Sequence, residues 1–480
     1  MRSDSPFIQS GLTLLSELSD ADLEWLLSAG QREKVPANAV VVGEGTQVRS
    51  IYLVMQGLLS VYLASRGSHI LATLGAGQIF GEMSYLENRP ASATVRTLED
   101  SELITISRPD LNARLQSNPD FCGRFYKTLA KVTSRRLREM VGSVGRLLED
   151  QPPEDPKMLE RWNEIADKTQ RFKQLLLRIE KGSGKETEMA GKELPAAFRD
   201  FCKFNDHAIG EDSPETIDSR DEIGARIQRE LLPYLLKSRT IDRLYTKPRG
   251  YAGDFRTTEF MYAREAGGSG ESGPIFDRCF LDLPPVAAVR NRRDLITEEI
   301  RQCAAGSGVA ALCSGTCDEI FAAGTGTRGR PEVQATVIDF DAQALAAVAE
   351  KGDKLNLTEA IALLNTNLFH LAIGHPPAQL PPQDLVYSIN LPDHFDDSLL
   401  IKFLNYMHRL LKPGGRAILT SFHAGNPFRA FMDYIIDWKV THRTEEELAE
   451  IFIQSDFRKP CTNIRFEKEG IIFLAECLKT

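Results

Sequence analysis

Between Val35 and Ile106, apolar and polar residues alternate in short segments (AVVV, SIYLVM, LLSVYL, HILATL, SATVRT, SELITIS) set apart by glycines at 43, 45, 57, 67, 75, 77 and 81. A period of two with frequent turns predicts an antiparallel β-roll or barrel. A helical pattern, LSDADLEWLLSAG, precedes it. A longer one follows, in which Phe121, Phe125, Leu129, Val132, Met140, Val144 and Leu147 recur near the three-and-four spacing of one apolar stripe. That stripe can pack on its own β-roll or pair with a second copy as a homodimer. Helical periodicity then dominates from about 155 to 300, in ERWNEIADKTQRFKQLLLRIEK and EIGARIQRELLPYLLKSRTIDRLY, around a hydrophilic break, KGSGKETEMAGKE. From Val309 the pattern changes again, to apolar runs (VAALCSG, ATVIDFD, AIALLNTN, DLVYSIN, RAILTSF, IIFLAECL) separated by helical stretches. Runs that are apolar throughout are buried on both faces, which predicts a mainly parallel, doubly wound α/β sheet. The predicted architecture is multidomain, with a β-roll and flanking helices over 10–150, a helical linker and cap over 151–300, and the α/β domain over 301–480.

A chain of 480 residues exceeds what one hydrophobic core organises, which agrees with this division. The formal net charge of −9 and the shortness of clusters such as Arg135–Arg138 leave no basic field for phosphate backbones, so nucleic acid is not an expected partner. After Leu148 the acidic, proline-marked EDQPPEDPKM reads as a linker and not as a DNA-binding helix-turn-helix. No stretch approaches the roughly 20 apolar residues of a spanning helix, and MRSDSPFIQS lacks the apolar core of a signal peptide, so a cytoplasmic location is expected. The eight cysteines form no CxxC pair and no zinc-ligand spacing, which points to reduced thiols and no metal.

In doubly wound sheets ligands bind at the carboxyl ends of the strands. The residues just after each strand, such as Cys313–Thr316 and Asp339, are therefore the informative ones. In the helical segment, TKPRGYAGDF places Gly250 and Gly253 around Tyr251 and Asp254. This is either a turn whose Asp254 caps the next helix or a loop that closes over a site. Arg290, Arg292 and Arg293 enter a later helix, where they face solvent or reach a carboxylate of the α/β domain.

Residues 77–97, GQIFGEMSYLENRPASATVRT, resemble the phosphate-binding cassette of the cyclic nucleotide-binding family. The resemblance implies a nucleotide-like pocket in which Gly81 and Glu82 face a ribose and Ser92 meets a phosphate. That family's phosphate-pairing arginine directly follows the proline, where this chain has Ala91. A charge-assisted bond contributes roughly 1.5–3 kcal/mol, so its loss predicts cyclic nucleotide binding weakened by one or two orders of magnitude. Arg89 is the nearest substitute cation. Cyclic nucleotide binding and a ligand-free structural or oligomerising role are both open.

CSGTCDE after the first α/β strand, Asp339 at the end of ATVID, and RLLKPGGRAIL together resemble the class I S-adenosylmethionine-dependent methyltransferases over most of residues 305–480. The resemblance implies a Rossmann-like fold with S-adenosyl-L-methionine as cofactor. It would be held by Cys313, Ser314, Gly315, Thr316, Asp339, Phe340, Asn367 and Asn390, with Asp339 accepting the ribose hydroxyls and with Asn365–Leu368 and Ser388–Asn390 where that family holds the adenine and the methionine portion. More narrowly, KPRGYAGDF, AVRNRRDL and DLVYSINLPDHFDD are similar to the bacterial family that makes 3-hydroxypalmitic acid methyl ester, with Leu391–Phe395 replacing that family's Leu-Phe-Asp-Tyr-like text. This implies O-methylation of a fatty or lipid-like carboxylate, with Tyr251 and Asp254 at the catalytic turn and Arg249 and Arg290 on the acceptor. A carboxylate acceptor is already ionised at neutral pH and needs no base. A hydroxyl or amine would need one, His394 or Asp254. The alternative from another class is a non-catalytic signalling protein that binds ligands and reports them.

Overall fold

The computed structural model describes residues 14, 16–66, 70–145, 156–249, 251–324, 333–367, 370–371 and 380–480. The alternating N-terminal segments form β1 (Gln31–Val35), β2 (Val40–Val42), β3 (Ser50–Gln56), β4 (Leu59–Tyr62), β5 (Ile70–Leu74), β6 (Ile79–Phe80), β7 (Thr94–Thr97) and β8 (Ser101–Ser107). They pair antiparallel in two four-stranded sheets, ordered β1-β8-β3-β6 and β2-β7-β4-β5. Val54, Leu59, Val95 and Leu103 fill the space between them. The helix Asp20–Ala29 precedes the roll and Pro119–Gly145 leaves it. On the latter, Phe121, Phe125, Leu129 and Val132 are buried. The continuation of that stripe, Met140, Val144 and Leu147, lies outside the described side chains.

Residues 156–301 are helical, from Pro156–Lys181 to Pro284–Arg301. Their shared core includes Phe172, Phe198, Phe276 and Phe280, and it takes in Phe422, Phe431 and Trp438 from the α/β region. The helices are therefore packed on the sheet domain as a cap. Among the described residues, no helix is long and apolar enough to cross a membrane.

The C-terminal sheet comprises β9 (Ser307–Leu312), β10 (Val333–Asp339), β11 (Ile361–Asn365), β12 (Gln383–Ser388), β13 (Leu411–His423), β14 (His442–Arg443), β15 (Asn463–Phe466) and β16 (Ile472–Leu478). Its order is β11-β10-β9-β12-β13-β16-β15, with β14 beside the end of β13. The strands from β11 to β13 run parallel and β16 is antiparallel to both its neighbours, so the sheet is mixed. Successive residues alternate between its two faces. Val309, Ala311, Val337 and Tyr387 pack with Ile296 and Ile300 of the helix Pro284–Arg301. Ala310, Leu312, Ile338 and Val386 pack on the other side with Phe403 and Tyr406. Burial on both faces is why these strands read as unbroken apolar runs. The second of these clusters continues through Leu14, Leu18, Ile51, Ile104 and Phe125, so the β-roll shares a core with the sheet domain.

Candidate functional site

From β9 the chain steps outward to β10 and β11, then returns to β12 on the opposite side of β9. Such a reversal opens a crevice between the carboxyl ends of the two central strands. The turn after β9 lines it. Cys313, Gly315 and Cys317 all adopt left-handed backbone, with φ of +48°, +68° and +49°. For a residue with a side chain this costs roughly 1–2 kcal/mol, a strain that persists where the surroundings fix the turn. The Cys313 N–H donates to the Ile338 carbonyl at 2.8 Å, tying the turn to β10. A Cβ at Gly315 would lie 3.4 Å from that of Phe255 and 3.8 Å from Asn390 Nδ2, so the turn meets both the cap and the β12 loop here. Ser314 and Ser388 donate to the same Leu312 carbonyl at 3.3 and 2.7 Å. The Thr316 hydroxyl bonds Asp318 at 2.6 Å. Burial pushes both cysteine thiols well above their ordinary range, which makes them small apolar fillers and not nucleophiles.

The two acids after β10 have different tasks. Asp341 caps the helix Ala342–Leu355, accepting from the N–H groups of Gln343 and Ala344 at 2.9 and 3.4 Å. It is also held bidentately by Arg249 at 2.7 and 2.9 Å. Asp339 accepts the Asp341 N–H at 2.9 Å. Burial, reinforced by the Asp341 charge, pushes its carboxyl up to about 7. A desolvated acid at the strand end is the group that gains most from two hydroxyl donors. Asn365 donates to the Asp339 and Phe340 carbonyls at 3.3 and 3.4 Å, fixing this corner. Asn367 accepts the His370 N–H at 2.9 Å, so its side-chain oxygen serves as a local cap and not as an open ligand group. Leu368 and Gly250 lie outside the described residues.

The cap turn corrects several expectations. The Tyr251 ring stands 6.3 Å from that of Phe340 and 6.0 Å from that of His394, bridging the loops after β10 and β12 as a lid over the crevice would. Burial and the nearby acids hold its phenol far above the usual range, so it remains protonated. Asp254 caps the helix Phe255–Ala263 through the Thr257 N–H at 2.9 Å, and both its oxygens take Arg243 at 3.0 Å. It is a structural cap with both oxygens engaged. Arg249 is not free for an acceptor because Asp341 engages it. Arg290 donates to the Met261 and Leu281 carbonyls at 3.3 and 2.9 Å, sealing two helix ends.

Arg292 is the arginine that reaches the crevice. It is 2% exposed, donates to Asp393 at 2.9 Å and also pairs with the Asn390 side-chain oxygen. The amide of Asn390 in turn lies 3.5 Å from the Thr258 hydroxyl. The signal for Arg292 was present in the sequence, since it falls on the buried stripe of its helix between Val289 and Ile296 at helical spacing. Burial pushes Asp393 up to about 6. His394 is driven down to about 4, by burial first and by Arg292 and Lys247 next. Lys247, also buried, forms an ion pair with Asp437.

In the β-roll, Gly81 has φ +85° and a Cβ there would stand 2.8 Å from the Ser50 carbonyl oxygen, so glycine is required by the fold whether or not a ligand binds. Glu82 is buried and paired with Arg136 of the long helix, whose other nitrogen donates to the Ile79 carbonyl at 2.7 Å. Ser92 is exposed. Ala91 is buried in backbone bonds with Gly45 and Thr46, both 2.8 Å. Arg89, with a side chain 80% exposed, faces solvent beside Glu87 and does not replace the missing arginine.

The sequence profile of the cyclic nucleotide-binding domain family matches residues 32–118. The cyclic AMP receptor protein of Thermus thermophilus is 32% identical over 131 residues, covering 27% of this chain and 59% of that protein. The cAMP-activated global transcriptional regulator CRP of Haemophilus influenzae is 29% identical over 142 residues, covering 27% and 62%. The chain thus spans about three fifths of the length of these curated relatives. Among solved structures, a possible exported protein from Bordetella parapertussis aligns over 68% of this chain and 99% of its own, at 17% identity and a TM-score of 0.42. The chain carries a cyclic nucleotide-binding domain at its N-terminus, followed by a helical segment and a mixed-sheet region.

Proposed function

We propose that the C-terminal region is an S-adenosylmethionine-dependent methyltransferase acting on the carboxylate of a 3-hydroxy fatty acid or a similar lipid-like acid, with the N-terminal domain regulating or dimerising it. The observation that carries this reading is Asp339, a buried carboxylate at the end of the second strand, next to a left-handed small-residue turn at the end of the first. A ribose diol fits the first and a close backbone approach fits the second. When bound, S-adenosylmethionine supplies an electrophilic methyl group. Asp339 would orient its ribose, the Cys313–Thr316 turn would admit its chain, and Asn390, positioned by Arg292, would face its amino acid end. Tyr251 and Phe255 would exclude water from above.

The available groups favour an acceptor that arrives ionised. His394, at about 4, is too weakly basic to take a proton well at neutral pH, and Asp254 is committed to Arg243. A carboxylate, ordinarily near 4, needs neither. Rate then comes from alignment at about 3 Å and exclusion of water. A hydroxyl or amine acceptor is the second reading, and Asp393 favours it as the base: burial pushes it up to about 6, and while Arg292 holds its Oδ2, its Oδ1 is buried without a hydrogen-bond partner among the described residues. A ligand-reporting role without catalysis is compatible with the N-terminal domain, whose relatives are named for cyclic AMP.

Calorimetric titration with S-adenosylmethionine and S-adenosylhomocysteine tests the assignment. Binding of both, lost in Asp339→Ala, supports it, whereas a folded chain that binds neither refutes it. Incubation with 3-hydroxy fatty acids, read by mass spectrometry for methyl esters, then separates catalysis from ligand reporting.

A further inference from the structure

The β-roll touches the rim of the candidate cofactor crevice through two of its turns. Glu99, in the turn between β7 and β8, accepts from Gln343 at 2.9 Å and from both terminal nitrogens of Arg249 at 3.4 Å. Gln56, where β3 turns toward β4, bonds the side chain of Asn365 at the end of β11. Each receiving residue is one bond from the corner that carries Asp339. Arg249 holds Asp341, whose N–H donates to Asp339, and Asn365 donates to the Asp339 carbonyl. The Arg249 side chain is 16% exposed, and Glu99 is 27% exposed, so this junction is shielded from full solvent screening. The shared apolar core fixes the roll against the sheet domain, so the two turns have a defined place to act.

We propose that Glu99 is a positioning residue through which the N-terminal domain sets cofactor affinity. With the roll docked, Glu99 holds Arg249 in its bidentate grip on Asp341 and anchors Gln343 in the first turn of the helix that Asp341 caps. The same hold keeps Tyr251, two residues on from Arg249, over the crevice. Glu99 lies two residues past Thr97, the end of the strand that closes the cassette-like segment, so a shift of that segment would be felt at Arg249 and Gln343. By reciprocity, if docking of the roll raises cofactor affinity by a given factor, bound cofactor strengthens docking by that same factor. The inference rests on the methyltransferase reading, because it takes the Asp339 corner as the ribose site.

The test is titration of the full chain with S-adenosylhomocysteine in four forms: unaltered, Glu99→Ala, Arg249→Ala and the double variant, with Asp339→Asn as reference. The expected result is binding about fivefold or more weaker in Glu99→Ala, and a clearly smaller loss when Glu99→Ala is added to Arg249→Ala, the remainder being the share carried through Gln343. A purely structural role would instead lower thermal stability and leave affinity unchanged. Unchanged affinity in a folded Glu99→Ala chain, or full additivity of the two substitutions, overturns the coupling while the methyltransferase reading stands. Absence of binding to the unaltered chain, or binding unaffected by Asp339→Asn, overturns that reading and the coupling with it. Should Glu99→Ala fail to fold, Gln343→Ala removes the partner of Glu99 on the sheet side and is judged by the same criteria.

Discussion

Replacing Asp339 by Asn should stabilise the ligand-free protein at alkaline pH while weakening cofactor binding. The carboxyl is pushed up to about 7 by burial. In the unfolded chain it titrates near 4. Below pH 4 it is protonated in both states and burial carries no electrostatic penalty. Between about 4 and 7 the unfolded chain ionises first, so this group lowers stability as pH rises. Above 7 the penalty is complete, roughly 4 kcal/mol for a difference of about three pH units. Asn removes that penalty, and its carbonyl can still accept the Asp341 N–H now bonded at 2.9 Å. Urea denaturation without cofactor should show the variant more stable by only about 1 kcal/mol at pH 4.5 and by up to about 4 kcal/mol at pH 8. S-adenosylhomocysteine should bind the variant about 10- to 100-fold more weakly, the loss of a charge-assisted bond. In the unaltered chain affinity should rise with pH through about 7, as the diol-binding carboxylate forms, and then level off. A variant with no stability gain between pH 4.5 and 8, or with undiminished affinity, would refute the assignment of Asp339 as a buried acid awaiting a diol.

Three further outcomes follow from the same structure. Arg292→Leu leaves Asp393 buried without its cation and should cost about 3–5 kcal/mol of stability; Arg292→Leu with Asp393→Asn should recover most of it, and a urea midpoint unchanged by the single substitution would argue against the buried pair. His394→Gln should lower turnover less than about tenfold and leave the pH profile between 6 and 8 as it is in the unaltered chain, because a ring driven down to about 4 is neutral throughout; a loss beyond a hundredfold at normal cofactor affinity would restore it as a base. Ala91→Arg returns a cation to the phosphate position and should strengthen cyclic AMP binding by one to two orders of magnitude in calorimetry; no gain would show that the Arg136–Glu82 pair closes the pocket independently of the phosphate site.

The elements of this protein were legible in its sequence because each is set by local rules. Alternation with period two marked the β-roll, helical spacing marked the cap, and runs such as VAALCSG marked strands buried on both faces. The residues after those strands were also legible, since a parallel sheet delivers every strand end to one edge, and Gly315 and Asp339 are found there. What the pattern did not determine was which long side chains meet across domains. The resemblance of KPRGYAGDF and AVRNRRDL put Arg249 and Arg290 on the acceptor, yet one is drawn to Asp341 and the other to two helix ends. Arg292, two residues further along the same helix, turns inward instead. A guanidinium spans several ångströms on a flexible stem, so its partner depends on the packing angle of its helix and on which carboxylates burial leaves in reach. Only the tertiary structure brings Glu99, from the first domain, to Arg249 and Gln343, because that contact joins turns far apart in the chain that share no local pattern.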